Sequence, residues 1–365
     1  MAAELRVILC GYGLAGRMIH APLIGSTPGL DLCAIVTGND ERREQAKVDF
    51  PGARLISTPR EAWAATGQFD VAVIASPNSA HARQTIEAIR GGMHVVVDKP
   101  LAGNAEQALL IAREAKSVNR QVHTFQNRRW DSDFLTLASI VDNRALGKVH
   151  HLESRMESLR GPSRTAWRDS SDPKDLGGVL LDLGSHLVDQ AIHLLGPVLR
   201  VSAQLRAIRN PESAEDDARL VLTHAGGAES HLIASRASSS TGPRFLALCE
   251  GGEVRIEFTD SQEAALRRGE VPGGRDWGVE PPTAYAKVRI TGSARDVADE
   301  RIAPQRGRWD HFYPAARRAI LTGSAPPVPL SQVIETMRVL DAARCASAIG
   351  ELVQVVRPLF PVQVI

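Results

Sequence analysis

The chain has 365 residues, 43% hydrophobic and 23% charged, an ordinary globular composition with enough length for about two domains. Its 43 Lys and Arg residues balance 42 Asp and Glu residues, which excludes the strong net field of a protein that binds nucleic acid or a membrane surface. The four cysteines form no C-x-x-C pair or ligand-type cluster, so we predict no metal site. No run of about 18 apolar residues occurs, so we predict no membrane span. We also expect no leader peptide, and therefore a cytoplasmic protein.

The first 125 residues alternate short apolar runs with helical patterns. The apolar runs predict strands at residues 5–10, 30–36, 71–75 and 94–97. Helical patterns follow the last two of these runs, at residues 80–90 and 105–116. Unbroken apolar runs rich in β-branched residues suit strands that are buried on both faces. Strand and helix in alternation imply βαβ units with right-handed crossovers, so we predict an α/β domain with a parallel sheet over residues 1–125.

The pattern changes after about residue 125. Alternation of apolar and polar residues, typical of antiparallel strands with one covered face, predicts strands near residues 149–158, 198–206, 218–223, 229–236 and 252–258. One helix is predicted at 181–195, and a Gly-, Pro- and charge-rich stretch at 263–282 predicts a long loop. Helical patterns return at residues 313–321 and 330–350. We predict a second, α+β domain over residues 126–329.

A glycine-rich turn follows the first predicted strand. Gly11, Gly13 and Gly16 form G-x-G-x-x-G between a buried strand and a helix, the context in which this pattern indicates dinucleotide binding. The amides of Leu14 and Ala15 would then face the phosphates at the helix N-terminus. The first domain is therefore predicted to be a Rossmann domain, the alternative being a plain turn between strand and helix.

The end of the second strand bears on the choice of cofactor. NAD-preferring sites usually place an acid there to bind the ribose 2′-hydroxyl, but this chain has Thr37, followed by Asn39 and Arg42. A neutral strand end with a nearby guanidinium can accept a 2′-phosphate, which favours NADP(H) over NAD(H). In the alternative, Arg42 is solvated and Asp40 binds the ribose of NAD.

Three segments in order resemble one family, the Gfo/Idh/MocA oxidoreductases. Residues 97–101 are similar to its EKP signature, with Asp98 in place of the usual Glu. Residues 75–81 resemble its TPN-x-x-H turn, and residues 177–186 its GG-x-x-x-D-x-G-x-H segment. Residues 18–24 and 127–134 are similar to the scyllo-inositol dehydrogenase-like branch, several members of which use NADP. The TPN-like turn and the lysine turn imply these further cofactor-binding residues: Ser76, Pro77, Asn78, His81, Asp98 and Lys99.

The same resemblance implies a catalytic set of Lys99, Asp182 and His186. Oxidation of a secondary alcohol needs a base near the hydroxyl and a positive group to stabilise the alkoxide. Asp182 and His186 lie four residues apart, so both project from one face of the predicted helix, where the carboxylate could orient the imidazole and raise its basicity. In the alternative, Lys99 is a solvated lysine at a strand exit, and Asp182 and His186 belong to the polar stripe of an amphipathic helix that also carries Asp189 and His193.

Arginine and tryptophan residues before the predicted helix are candidates for binding a sugar. Arginine and tryptophan side chains can bind the hydroxyl groups of a sugar and stack on its faces. Each of these residues, taken alone, also fits an ordinary surface residue. The full set of predicted substrate-binding residues is Lys99, Arg128, Trp130, Arg160, Trp167, Asp182 and His186. The cluster also includes Arg129, Arg164 and Arg168.

The sequence thus predicts an NADP- or NAD-dependent dehydrogenase or reductase that acts on a CH–OH or carbonyl group of a sugar, inositol or related polyol. The alternatives are a cofactor-sensing regulator on the same fold and a glycosidase with transient NAD chemistry. The resemblance implies a largely antiparallel open sheet in the second domain and a homodimer or homotetramer formed through it. It also implies a late helix, our candidate being residues 330–350, that packs back on the Rossmann domain.

Overall fold

The computed structural model describes residues 4–64, 67–143, 146–161, 166–291 and 297–356. Its N-terminal part is a parallel sheet whose strands are β1 (Leu5–Cys10), β2 (Leu30–Val36), β3 (Arg54–Ile56), β4 (Val71–Ile74), β5 (His94–Asp98) and β6 (Val122–Phe125). The order is β3-β2-β1-β4-β5-β6, and all paired strands run parallel. This confirms the predicted Rossmann fold. The strand order changes direction between β1 and β4, so a crevice opens at their carboxyl ends.

Helices cover both faces of this sheet. A π-helical turn (Gly16–His20) continues into the first helix, and the helices of this part are α1 (Ala21–Gly25), α2 (Asp40–Asp49), α3 (Pro59–Ala64), α4 (Asn78–Arg90) and α5 (Ala105–Ser117). Every residue of β4 is buried, because a central strand between two helical layers has no solvent-facing side. None of the described helices is long and apolar enough to cross a bilayer.

The second sheet has nine strands. They are β7 (Val149–Glu157), β8 (Val198–Arg206), β9 (Asp217–His224), β10 (Glu229–Ser235), β11 (Phe245–Cys249), β12 (Gly252–Ile256), β13 (Ala286–Thr291), β14 (Val297–Ile302) and β15 (Val353–Gln354). The order is β14-β13-β12-β11-β7-β10-β9-β8-β15. Among the described strands of this second sheet, only β7 and β10 pair in parallel, and the other pairs are antiparallel. This confirms the predicted largely antiparallel sheet.

One face of the second sheet is covered by helices. These are α6 (Ser132–Asp142), α7 (Ala166–Asp169), α8 (Ser185–Leu195), α9 (Gln262–Arg267), α10 (Phe312–Thr322) and α11 (Leu330–Ile349) in chain order, of which α6, α8 and α11 contact the sheet. In β10, Leu232 and Ala234 are buried on the covered face, while His231 and Ile233 point to the other face and stay half-exposed. That alternation is the pattern from which the strand was predicted.

The loop predicted at 263–282 is wrong in part. Its first residues belong to α9, and Trp277 within it is only 2% exposed. The buried side-chain amide of Gln262 holds the start of this helix in place. Its Nε2 donates to the carbonyl oxygen of Trp130 (3.1 Å), and its Oε1 accepts from the backbone amide of Trp309 (2.7 Å). These partners are remote in sequence, so composition alone indicated a loop. The sequence analysis gave no range for several further elements, namely β3, β6, β11, β13, β14, β15, α2, α3, α6 and α7.

Helix α11 lies between the two sheets. It contacts α5 and β6 on one side and α8 and β8 on the other. Asp341 accepts a hydrogen bond from the amide of Ala105 (2.8 Å), and Ser347 accepts one from the amide of Leu205 (2.9 Å). Both sides of α11 are therefore fixed by specific bonds in addition to apolar packing.

Candidate active site

The glycine turn after β1 is closely packed against β4. Gly11 has φ +104°, and a Cβ atom there would lie 2.5 Å from the carbonyl oxygen of Ala75. A Cβ at Gly16 would lie 2.0 Å from the carbonyl oxygen of Gly11. Only glycine fits either position, the first because of its backbone conformation and the second because helix and strand approach so closely.

Gly13 faces open space. The one atom within 4 Å of a Cβ built there is a guanidinium nitrogen of Arg42, at 3.8 Å. Leu14 is 44% exposed, and Ala15 begins the helical segment. Gly13, Leu14 and Arg42 all line a cleft of about 1300 Å³ between the two halves of the chain. Free helix-terminal amides, a bare glycine backbone and an arginine beside an open cleft fit a nicotinamide dinucleotide.

The end of β2 is organised around the start of α2. Asn39 caps this helix, its side chain accepting a hydrogen bond from the amide of Arg42 (2.9 Å). Thr37 is buried, and its hydroxyl accepts a hydrogen bond from the amide of Asn39 (3.4 Å). The structure therefore places the Arg42 side chain in the cleft and gives Thr37 and Asn39 local contacts that hold the turn. Glu41 lines the same cleft.

The turn after β4 connects three segments. His81 is buried with its Nδ1 2.7 Å from the carbonyl oxygen of Pro100 and its Nε2 2.9 Å from that of Ser76. Burial lowers the pKa of His81, so the ring is neutral and donates to one of the two carbonyls. Asn78 follows Pro77 at the start of α4 and donates to the carbonyl oxygen of Leu176 (2.9 Å). These residues, with Ser76 bound to Gln84 (2.8 Å), shape the turn and are absent from the described lining of the cleft.

Lys99 leaves the end of β5 and reaches the second half of the chain. Its Nζ donates to the carboxylate (3.0 Å) and to the carbonyl oxygen (2.6 Å) of Asp182. The side chain of Lys99 is 15% exposed. Its backbone amide donates to Asp98 (2.8 Å), so adjacent residues fix the backbone and the ammonium of this turn.

The other oxygen of Asp98 faces a residue that the sequence analysis did not single out. It lies 3.9 Å from Nε2 of His20, whose Nδ1 is 2.6 Å from the hydroxyl of Tyr313. Burial opposes ionisation of Asp98, but His20 and Lys99 outweigh it and lower the pKa of this carboxyl. His20 and Tyr313 are 293 residues apart, so no local signal in the sequence indicates the pair.

Asp182 sits on a π-helical turn (Leu180–Gly184) directly before α8. Besides Lys99, its carboxylate binds the guanidinium of Arg236. Burial opposes its ionisation, yet the positive charges of Lys99, Arg236 and Arg168 outweigh that effect and hold the pKa of Asp182 far below its usual range. Asp182 is therefore a permanent carboxylate that positions an ammonium group.

Asp182 is predicted to orient the imidazole of His186 and raise its basicity; its charge does act to raise the pKa of His186, but it accepts no hydrogen bond from that ring among the described residues. Both carboxylate oxygens are bound to the cations just described, since charge-assisted bonds are stronger than a bond to a neutral imidazole. His186 is 4% exposed, and its Nδ1 has no hydrogen-bond partner among the described residues. Burial, together with the charges of Lys99 and Arg128, lowers the pKa of His186 well below its ordinary value. The ring is neutral at neutral pH and keeps a lone pair that can accept a proton.

The predicted substrate-binding residues divide into two groups. Arg160 and Asp182 line the cleft, whereas Lys99 and His186 are absent from its described lining and reach it only through the contact of Lys99 with Asp182. Arg128 forms ion pairs with Asp131 (3.0 Å) and Glu263 (3.5 Å) and does not belong to the described lining.

Neither candidate tryptophan belongs to that lining. Trp130 packs edge-on against Phe312, with ring centroids 5.8 Å apart, and Trp167 stacks under the guanidinium of its neighbour Arg168 at 5.1 Å. Each ring therefore has a packing partner, Phe312 for Trp130 and Arg168 for Trp167. Arg164 lies outside the described residues.

Two further residues of the candidate cluster have a structural role. Arg129 is buried and forms a two-bond ion pair with Asp189 on α8 (2.7 and 2.7 Å). It also donates to Gln332 on α11 (2.7 Å). Asp189, which the sequence places in the polar stripe of this helix, is therefore a buried partner of Arg129.

Comparisons with known proteins cover most of the chain. The model of an oxidoreductase family with an NAD-binding Rossmann fold matches residues 5–126, and that of the GFO/IDH/MocA C-terminal domain matches residues 134–255. Oxidoreductase YdgJ of Escherichia coli is 33% identical over 93% of this chain and 96% of its own length. The scyllo-inositol 2-dehydrogenase (NADP(+)) IolW of Bacillus subtilis is 29% identical over 93% and 92%.

A solved oxidoreductase structure from Yersinia pestis, YPO2259, has a TM-score of 0.89 at 28% identity and covers 98% of this chain and 99% of its own. The YvaA oxidoreductase structure from Bacillus subtilis has a TM-score of 0.88 at 27% identity, with 96% and 100% covered. Both halves of the fold are therefore shared with oxidoreductases. The chain belongs to the Gfo/Idh/MocA family and is an oxidoreductase with an NAD-binding Rossmann fold.

Proposed function

We propose that the protein transfers a hydride between NADP(H) and a CH–OH or carbonyl group of a sugar, inositol or related polyol. The observation that carries the proposal is the contact of Lys99 with Asp182, which lines the cleft that the glycine turn opens into, together with a buried His186 that is near enough for the charge of Lys99 to lower its pKa. The name of the relative IolW supports the substrate class, since it is a scyllo-inositol dehydrogenase that uses NADP.

The bound nicotinamide supplies the hydride chemistry. Lys99 would donate a hydrogen bond to the reacting oxygen and stabilise negative charge on it, because its ammonium is already held in place by Asp182. His186 would accept the hydroxyl proton, because burial and nearby cations keep its ring neutral. The short distances between Lys99 and Asp182 mean that the positive group is oriented before substrate arrives.

The preference for NADP rests on Arg42. Its guanidinium stands beside Gly13 in the cleft, and Thr37 leaves the end of β2 without a carboxylate. We expect Arg42→Gln to raise the KM for NADP by about tenfold or more, the loss of one charge-assisted phosphate contact, with little change in the KM for NAD. A wild-type protein that uses NAD better than NADP would contradict this preference.

We also propose the organisation in which this chemistry is carried out. The Rossmann domain would end near residue 125, the substrate domain would span residues 126–329, and α11 would return to the first domain, as its contacts with α5 and β6 support. The uncovered face of the second sheet, with half-buried Val221, Ile233 and Leu246, would form a homodimer or homotetramer in the cytoplasm. Sedimentation equilibrium of the full chain tests the assembly, and a monomer would refute it.

The central experiment follows NADP reduction by absorbance with a panel of neutral and acidic polyols. Lys99→Ala and His186→Ala should each lower kcat on the best substrate by about a hundredfold or more, while His150→Ala, which changes an exposed histidine, should not. If both site variants keep full turnover, the mechanism is wrong. Cofactor binding without turnover on any compound would indicate a regulator, and release of a glycoside leaving group without net cofactor change would indicate a glycosidase.

A further inference from the structure

Positive charge is concentrated around the carboxylate of Asp182. Lys99 and Arg236 bind it directly, and Arg168 is close enough for its charge to act on the same group. Asp182, Arg168 and Arg236 all line the cleft between the two halves of the chain. Two cations thus bind one carboxylate, and a third lies close enough to act on it, at the point where the proposed reaction takes place.

The other acids in this part of the cleft do not balance the excess. Asp216 is engaged by Arg209 (2.7 Å) and by the amide of Ile208 (2.8 Å). Glu215 accepts the amide of Leu180 (3.1 Å), and burial raises its pKa. Asp169, next to Arg168 in the chain, also lines the cleft. None of these three acids forms an ion pair with Arg168 among the described contacts.

Within the described part of the chain, Arg168 has no acceptor. Its Nε is buried without a hydrogen-bond partner, and its guanidinium forms no ion pair or hydrogen bond there. The charged group lies over the ring of Trp167, 5.1 Å from the ring centroid. A buried donor without an acceptor is costly, so a ligand that supplies one is favoured over a ligand that does not.

The glycine pair before the π-helical turn explains why Arg168 is so close to Asp182. A Cβ at Gly177 would lie 2.7 Å from the carbonyl oxygen of Trp167, and the amide of Gly178 donates to the carbonyl oxygen of Arg168 (3.0 Å). The backbone of α7 therefore rests directly on the segment that leads into Asp182. Any larger residue at position 177 would push the arginine away from the site.

We propose that the substrate carries an anionic group, a carboxylate or a phosphate, which Arg168 binds with help from Arg236 beside Asp182. The inference rests on the proposed function and makes its substrate class specific. Arginine suits both anions because its planar donors can bind two oxygens at once. A neutral polyol would leave Arg168 desolvated and unpaired once the cleft is filled.

The test compares three sugars that differ only at carbon six: D-glucose, D-glucuronate and D-glucose 6-phosphate, with NADP as acceptor. We expect kcat/KM to be about tenfold or more higher for one acidic sugar than for glucose, as for one well-formed charged contact, and the better acid identifies carboxylate or phosphate. Arg168→Gln should remove that advantage, so that kcat/KM of this variant for the better acidic sugar falls to about its value for glucose. Arg113→Gln, which removes an exposed arginine on α5, should retain it.

Binding is measured separately, so that failure of the dehydrogenase reaction does not hide the result. Calorimetry with malonate and with inorganic phosphate uses the full-length protein saturated with NADP. At least one anion should bind to wild type and to Arg113→Gln, and about fivefold or more weaker to Arg168→Gln. Binding without turnover of any sugar would keep the anion site and refute the proposed reaction.

Three results would overturn the anion proposal. The first is that neither anion binds, and the second is that Arg168→Gln weakens glucose and the acidic sugars equally. The third is that Arg168→Gln raises the KM for NADP and leaves the sugars unaffected, since the arginine would then serve the cofactor.

Discussion

His123 on β6 should make the protein sensitive to acid. The side chain is fully buried, and neither ring nitrogen has a hydrogen-bond partner among the described residues. Burial, with a contribution from the charge of His94 on the adjacent strand, lowers the pKa of His123 to about 3. The folded protein therefore holds this ring neutral over a pH range in which the unfolded chain protonates it.

The sign and size of the effect follow from linkage. Between the ordinary pKa of 6.5 and the folded value of about 3, the unfolded state binds more protons, so stability is lost as the pH falls through that interval. At about pH 5 the cost from His123 is roughly 2 kcal/mol, since each pH unit between the two pKa values contributes about 1.4 kcal/mol. Above about pH 7.5 the same group costs nothing through protonation.

The variant His123→Leu removes the titrating group and keeps a side chain of similar volume. We compare the free energy of unfolding of this variant with that of wild type at each pH. The difference should increase by roughly 2 kcal/mol in favour of the variant as the pH falls from about 7.5 to about 5. Urea unfolding followed by circular dichroism and tryptophan fluorescence measures it. His150→Leu changes an exposed ring on β7 and should keep the wild-type dependence on pH. Equal slopes for wild type and His123→Leu would refute the reasoning.

Two further predictions concern packing and a buried charge pair. Gly16→Ala puts a methyl group 2.0 Å from a backbone oxygen. Fluorescence titration should therefore show NADP binding weakened by about tenfold or more, which corresponds to about 1.4 kcal/mol. The control Gly226→Ala changes a glycine with no described atom within 4 Å of the added Cβ and should bind NADP normally. Asp189→Asn breaks the buried pair with Arg129 (2% and 5% exposed) and should cost about 3–5 kcal/mol in urea unfolding. Glu44→Gln breaks an exposed pair and should cost less than about 1 kcal/mol. Normal cofactor binding by the first variant, or equal costs for the two charge variants, would contradict the argument.

The parallel sheet was predictable because its information is local. Residues 71–74 form an unbroken apolar run, and the structure buries all four on both sides of the sheet. The glycine turn was predictable for the same reason, since Gly11 and Gly16 meet only the neighbouring strand and each other. Hydrophobic periodicity and turn residues are patterns that span a few neighbouring residues. They therefore identify elements whose stabilising contacts also lie between residues close together in the sequence.

The contacts of the candidate site were not predictable in this way. The spacing of Asp182 and His186 indicated a pair, but Lys99 and Arg236, at separations of 83 and 54 residues, take the carboxylate instead. Nothing near Arg236 in the sequence distinguishes it from an ordinary charge at the end of a strand. Motif similarity located the turns that carry the site, and only tertiary structure determined which cation each carboxylate binds.

The lysine turn combines both kinds of information. Asp98 and Lys99 are adjacent, yet Asp98 faces His20 and through it Tyr313 on α10, while Lys99 faces Asp182 on the opposite side. The contact of Asp98 with His20 lies within the Rossmann half, whereas Tyr313 and Asp182 come from the second half of the chain. The ammonium group of Lys99 is therefore oriented by a residue of the second half, and the cleft lies between the same two halves.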